Sequence, residues 1–506
     1  MAIGSRKGKF VIFGVFGFLV AFLGTFFGVQ FATKTGVFFV PGEIYYGEEM
    51  GEAERGMVAT IFGDEVVLSE DVQISVSHSL EWPELSDGEF LYDIMVPVTN
   101  FYSSMAGISS EEAWRVFSAE DDDSLQENAD FGAENSNFSF ISVKNLDFKH
   151  KVLEIDGNYY FNDFRAGAIF SKIKFQSEKY KEEILPLLAG VFEENWPSKE
   201  TVLSLAQTGV TALSRGMKAK LDKVGDAGFF ATEIKEYLSG FDLTHTSNEA
   251  SFTDFASAKN ICSDKRFKET LLLIGLDIVE LTGNHNQDCG DVAAVETLDF
   301  YEEGGIATVG GGRTAEEAAE ALEIDAKGTK ITMFAYNLST GGATYDNTPG
   351  ANQYYEERAA KEIGEAKARG DLVIVDVQYY ECNAYASEYE DATCDRADSA
   401  AGDQVGFFRH LIDLGADVVV GTSAHQPQTF ELYGDGAIYY GLGNLFFDQV
   451  WWPGTTRSLV LEHYFYEGKL LQTRIVPTVY GADMVTKLLD EETKKWFIER
   501  LAAARP

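Results

Sequence analysis

Apolar positions from about residue 200 to residue 480 recur in two rhythms. Compact, β-branched runs at 371–377, 416–420 and 437–440 read as strands covered on both faces, since such strands show a continuous apolar stretch rather than an alternation. The run at 271–281, with its strand core at 274–281, has the same character, and 201–206 and 330–336 extend the series. Between them lie stretches with helical spacing at 232–238, 291–302, 314–322 and 354–369. Strands alternating with helices predict a layered α/β domain. Four of these strands run into polar turns: Asn284-His285, Gln378 with Glu381, Ser423 with His425, and Asn444 with Asp448. Ligands of open α/β sheets bind at the rim formed by the C-terminal strand ends, so the four turns predict one site.

The chain before residue 198 has a different pattern. Residues 10–32 carry no charge and are rich in Phe, Val, Leu and Gly, long enough to cross a hydrocarbon core of about 30 Å at about 1.5 Å per residue. Arg6, Lys7 and Lys9 precede this run and Lys34 alone follows closely. The positive-inside rule then predicts a cytoplasmic tail at 1–9, a transmembrane anchor at 10–32 and the remainder outside, a single-pass protein of the cell membrane with its bulk extracytoplasmic. A cleavable signal peptide is the alternative. Residues 33–197 read as an acidic, mainly β or α+β domain, with strands near 66–68, 73–76, 138–143 and 159–161, an acidic loop at 120–130, and a helix at 178–194 interrupted by Pro186. Trp196-Pro197-Ser198 marks the boundary to a second domain, 198–506.

Charge narrows the partners. The 81 acidic residues outweigh 41 basic ones, a net charge of −40, which argues against nucleic acid. Four cysteines, Cys262, Cys289, Cys382 and Cys394, permit three pairings, and the short loop between Cys382 and Cys394 makes that pair the preferred one.

The polar turns hold the residue types that bind a divalent metal and activate water: Glu249 supplies a carboxylate, Asn284 an amide oxygen, His285 and His425 imidazoles, and Gln378 or Glu381 a further oxygen. Each has an ordinary alternative. His285 and Asn284 suit a helix cap, His425 and Asn444 suit backbone-bonded turns, and Glu249 suits a solvated turn. Gly310-Gly311-Gly312-Arg313 fits no phosphate-binding fingerprint, and Thr314 reads as the cap of the next helix. No nucleophile elbow surrounds Ser214 or Ser423.

Residues of about 200–480 resemble the bacterial capsule-synthesis proteins of the poly-gamma-glutamate type, the CapA-like family. The resemblance rests on Thr208-Gly209-Val210-Thr211-Ala212-Leu213-Ser214-Arg215, Ser247-Asn248-Glu249, Gly283-Asn284-His285-Asn286-Gln287-Asp288-Cys289-Gly290, Gly310-Gly311-Gly312-Arg313, Gly421-Thr422-Ser423-Ala424-His425-Gln426-Pro427-Gln428, and Tyr440-Gly441-Leu442-Gly443-Asn444-Leu445-Phe446-Phe447-Asp448-Gln449. It implies a layered, calcineurin-like metallophosphoesterase α/β sandwich. It also implies work on an anionic capsule polymer or envelope glycan, by metal-assisted hydrolysis or transfer or as a non-catalytic binding module; an envelope phosphodiesterase is the other enzyme reading. On this resemblance Asn284, His285 and His425 are the catalytic candidates, with His285 the proton donor. Glu249, Asn284, His285, Gln378 and His425 would hold Mn, Mg, Zn or Fe. Arg215, Asn248, Arg313, Glu381 and Asn444 would contact substrate. Three positions depart from the family pattern: Val210 stands where a Gly-Asp ligand is usual, and Gln378 and Ser423 stand where histidines are usual.

Overall fold

The computed structural model describes residues 72–117, 138–177, 196–339, 341–379 and 402–506. The expected membrane segment at 10–32, the strand at 66–68, the acidic loop at 120–130, the helix at 178–194, and Glu381, Cys382 and Cys394 lie outside these residues. No helix among the described residues is long and apolar enough to cross a membrane.

Two compact units divide the chain, with the boundary at Trp196/Pro197; residues 99–106 and 146–151 belong with the second unit. The first is built on an antiparallel sheet in the order Val72–Ser79, Ile169–Ser177, Glu89–Asn100, Ser139–Ser142. The strand expected at 159–161 is a turn instead, closed by Asn162 N donating to Tyr159 O at 3.0 Å. Its aromatic residues are buried by packing on one another and on Phe164, so apolarity there marks a ring cluster rather than a strand.

The second unit has two larger sheets. Its strands are Leu203–Thr211 (β1), Leu243–Asn248 (β2), Ile278–Glu280 (β3), Ala307–Val309 (β4), Leu322–Ala326 (β5), Thr329–Asn337 (β6) and Leu372–Gln378 (β7). There follow Val418–Gly421 (β8), Phe430–Tyr433 (β9), Gly436–Tyr439 (β10), Asn444–Phe446 (β11), Arg457–Tyr466 (β12), Lys469–Tyr480 (β13) and Thr486–Leu488 (β14). The first sheet runs β4-β3-β2-β1-β12-β13-β14, with β11 also paired to β1; the second runs β5-β6-β7-β8-β10-β9. The strands β4 to β1 are mutually parallel, as are β6, β7, β8 and β10, so each sheet presents a block of C-terminal ends.

Alternation along the strands assigns the layers. On β7, Val373, Val375 and Val377 pack against Ala359 and Ile363 of the helix Glu356–Ala368 and Phe408 of the helix Gln404–Asp413. Leu372 and Ile374 face the other way and meet Leu205, Ile278 and Leu461 of the first sheet. The far side of that sheet buries Ala206, Val279 and Val460 against Leu298 and Tyr301 of the helix Asp291–Glu303. The order is helix, sheet, sheet, helix: a mixed α/β architecture with layered sheets.

Two elements of the second unit differ from the sequence pattern. The apolar run from 271 begins as a helix, Lys268–Leu273, and its strand is only Ile278–Glu280. Leu271 and Ile274 are three residues apart and enter one cluster as a helical face does, and Gly275, at φ 68°, ends the helix. The helix expected at 314–322 stops at Ala318, while Thr314 does cap it by accepting from Glu317 N. Cys262 pairs with Cys289, leaving Cys382 and Cys394 as the remaining two cysteines.

Candidate functional site

The Asn284-His285 turn takes its shape from Asn286 rather than from either candidate. Asn286 Nδ2 donates to Leu281 O at 2.9 Å, and its Oδ1 accepts from Asn248 Nδ2 at 2.9 Å. Asn248 Oδ1 in turn accepts from the Tyr301 hydroxyl at 3.0 Å. Asn248 thus braces the turn from β2, fully buried. Gly283 lets the turn come this close, because a Cβ there would stand 2.5 Å from Asn248 O. Cys289, held by Cys262, anchors the turn's far end. Glu249 follows β2, buried, with its N donating to Thr211 O at 3.0 Å.

Each imidazole is held through its Nδ1. His285 Nδ1 lies 2.7 Å from Asp288 Oδ2, with about a quarter of the side chain exposed (24%). His425 is buried, and its Nδ1 lies 2.9 Å from Asn444 Oδ1. Asn444 donates its own Nδ2 to Thr455 O at 3.1 Å, so the amide oxygen is the end facing the ring and the proton sits on Nδ1. Burial pushes the His425 pKa down to about 4; Asn444 opposes this, and the neighbouring His285 and Arg215 reinforce it. His425 is therefore a neutral ring at physiological pH, within electrostatic reach of both.

Arg215 sits in the turn after β1 at φ 46°, a left-handed conformation costly for a residue with a Cβ. Asp448, after β11, holds it there by accepting from Arg215 Nη2 at 2.7 Å and from Gly216 N at 2.9 Å. The guanidinium lies 4.8 Å from the Phe447 ring centroid, and Phe447 lies 5.3 Å from the His425 ring. Arg215 Nε is buried and has no hydrogen-bond partner among the described residues. At the end of β7, Gln378 donates Nε2 to Asn284 Oδ1 at 3.0 Å, and Ser423 donates to Tyr379 O at 2.9 Å.

Arg215, Asn284, His285, Gln378, His425 and Asn444 are thus tied into one strand-end group by these contacts, with Asn248 and Glu249 at the end of the neighbouring β2. Arg313 is elsewhere engaged: its guanidinium meets Asp299 at 2.7 Å, Glu302 at 3.0 Å and Glu317 at 2.5 Å. The Gly310–Gly312 turn also closes on Glu317, whose carboxylate accepts from Arg313 N at 2.9 Å. Among the described residues no three His, Cys, Asp or Glu side chains gather as a metal-holding group. Asn284 Oδ1 is engaged by Gln378, and the apolar Val210 is buried in β1. The described donors do not fit a divalent-metal centre.

Beneath this group the layer between the sheets turns polar. Asp376 of β7 accepts from Gln207 Nε2 of β1 at 2.6 Å and lies 3.1 Å from His245 Nε2 of β2. Gln207 Oε1 lies 3.1 Å from His463 Nε2 of β12, whose Nδ1 lies 2.9 Å from the Thr473 hydroxyl. Glu280 of β3 joins them; burial first, and Asp376 second, raises its carboxyl above the ordinary range, while Ser247 and Thr282 oppose the shift. None of Gln207, His245, Glu280, Asp376 and His463 is exposed. Asp448 and Asp288 were named in their turns without a role in the site, and this buried layer escaped the sequence reading altogether. The signal available for the layer was a polar residue inside an apolar strand, as in Val373-Ile374-Val375-Asp376-Val377.

Among known proteins, the capsule biosynthesis protein CapA of Bacillus anthracis is 24% identical over 319 residues, covering 58% of this chain and 74% of that protein. The PGA biosynthesis protein CapA of Bacillus subtilis (strain 168) is 24% identical over 272 residues, covering 52% and 68%. A hypothetical protein from Thermus thermophilus, known by its crystal structure, is 15% identical with a TM-score of 0.32 and covers 55% of this chain and 99% of its own. Residues 204–449, which contain all the strand-end residues just described, match the model of the bacterial capsule synthesis protein PGA_cap.

Proposed function

We propose that the chain takes part in making or attaching an anionic capsule polymer of the poly-gamma-glutamate type, with the strand-end group as the place where the polymer is held. The match of residues 204–449 to the capsule-synthesis model and the names of the two Bacillus relatives support the role. The observation that carries the site is that Arg215 and His285, from two other segments of the chain, each lie within electrostatic reach of His425, with Phe447 packed between Arg215 and the His425 ring. A guanidinium offers paired donors to a carboxylate, and a held imidazole offers or receives one proton. Anchorage by residues 10–32 would set this group on the outer face of the membrane, where a capsule polymer emerges.

A second reading, hydrolysis or transfer on the same polymer, draws on the fixed rings. His425, neutral and held through Nδ1 by Asn444, has the form of a proton acceptor, and the more exposed His285 has that of a donor.

Binding of the full chain to γ-linked glutamate polymer, followed by sedimentation over a salt series, tests the role. A chain of net charge −40 repels a polyanion from a distance. Screening shortens that repulsion to about 10 Å at 0.1 M salt, so binding should strengthen from low to moderate salt. No binding at any ionic strength refutes the site. Polymer shortening or transfer in the same mixtures would select the second reading, and intact polymer would dismiss it.

A further inference from the structure

We propose that Arg215 takes the place of a bound divalent cation in this site: the polymer's oxyanion is received by the guanidinium, and binding needs no metal. This rests on the reading that the site holds an anionic polymer. The described donors fall short of a metal group, so positive charge must come from elsewhere. Arg215 supplies it permanently, since a guanidinium does not deprotonate in proteins.

Its placement is that of a built receptor. The left-handed backbone at φ 46° would relax if it were not held, and Asp448 holds it at two points, through Arg215 Nη2 and Gly216 N. The guanidinium carbon lies over the Phe447 ring, 4.8 Å from its centroid, a second contact that holds the side chain in place. Asp448 occupies part of the fork, while the buried Nε is left without an acceptor among the described residues. A buried donor on a charged group calls for an acceptor, and a carboxylate oxygen is one. His425, held neutral beside Arg215, lets the ligand approach without bringing a second charge.

The test measures binding of a fluorescent γ-linked glutamate oligomer, and separately of inorganic phosphate, by the full chain in EDTA and then with Mn, Mg or Zn added. Expected for the parent is oligomer binding unchanged within about twofold across these conditions, with no stoichiometric metal in the purified protein. Arg215→Gly removes the guanidinium while suiting the left-handed backbone, and Gly216 N still donates to Asp448; the buried carboxylate loses its charged partner, so the urea midpoint falls, while a single cooperative transition with an unchanged m-value verifies the fold. Its oligomer affinity should fall at least tenfold and recover in part with added methylguanidinium, which a merely structural role would not produce. Arg215→Lys should also bind weakly, because a point-like ammonium does not satisfy Asp448 and a ligand in the same plane. Binding abolished by EDTA and restored by metal, or an Arg215→Gly chain that binds like the parent, overturns the proposal. Phosphate bound through Arg215 without oligomer binding keeps the receptor and refutes the polymer reading; binding of neither probe refutes both.

Discussion

Gln207 is the link on which the buried polar layer turns, and Gln207→Leu measures what that layer contributes. The replacement is close to isosteric and the position is fully buried, so the main effect is on hydrogen bonding rather than on packing. Two groups lose their partner: Asp376 Oδ1, which accepts from Gln207 Nε2 at 2.6 Å, and His463 Nε2, 3.1 Å from Gln207 Oε1. Burial, aided by the neighbouring His245, lowers the His463 pKa to about 3, so this ring is neutral; with Gln207 Oε1 facing it, Nε2 carries the proton and would be left as a buried donor. Each stranded group costs about 1–3 kcal/mol, giving about 2–6 kcal/mol for the pair. At about 2 °C per kcal/mol for a unit of this size, the melting temperature falls by roughly 4–12 °C. Urea denaturation followed by tryptophan fluorescence supplies the free energy, and an unchanged m-value confirms that the native fold is being compared. Adding His463→Phe removes one stranded group and should recover about 1–3 kcal/mol, a coupling visible only if the two side chains share the network. A loss below about 0.5 kcal/mol for the single variant, as at an exposed position, would refute the reasoning. So would a double variant whose cost is the simple sum.

Three further outcomes follow from the geometry. Because the His425 pKa falls from its ordinary 6.5 to about 4, the neutral ring stabilises the fold above about pH 6.5; roughly 3 kcal/mol is lost as the pH falls through 6.5 toward 4, and an NMR-observed His425 that titrates near 6.5 would contradict this. Reducing Cys262–Cys289, separated by 27 residues, should cost about 3.5 kcal/mol and weaken polymer binding by loosening the Asn284-His285 turn; equal urea midpoints with and without reductant would exclude it. Gly209→Ala should cost about 3 kcal/mol or more, because the new Cβ would stand 2.0 Å from Gly443 O, whereas Gly364→Ala, in open space on a helix, should stabilise by about 0.5–1 kcal/mol; urea midpoints in any other order would refute the packing.

Much of the second unit could be read from pattern because its central strands are covered on both faces. The run at 371–377 became Leu372–Gln378, and the helices at 291–302 and 354–369 became Asp291–Glu303 and Glu356–Ala368, each within two residues of the expected ends. Where apolar residues serve a short helix or a ring cluster, as at Leu271 and Tyr159–Phe161, the same hydrophobicity carries no strand. The polar turns pointed to the strand ends, but the order of partners within the group depends on pairs far apart in the chain. Arg215 and Asp448 are 233 positions apart, and Gln378 and Asn284 are 94. No local pattern records such a pairing.

The buried layer and the strand-end group are one feature, for a reason already present in strand geometry. Side chains two residues apart on a strand face the same way. Asp376 and Gln378 on β7 therefore share the inter-sheet face, as do His245 and Ser247 on β2, with Gln207 and Glu280 on the neighbouring strands. Toward the N-terminal ends that face is filled by Leu203, Leu205, Ile278, Leu372 and Ile374; toward the C-terminal ends it is filled by polar groups. A core that turns polar only along its last layer spends stability there, since each buried polar group must find a partner. What it gains is a fixed register between the two sheets: Gln207 and His245 from one meet Asp376 from the other. That register sets Gln378 of the second sheet against Asn284 after the first, so the order of the candidate site is inherited from the layer below it.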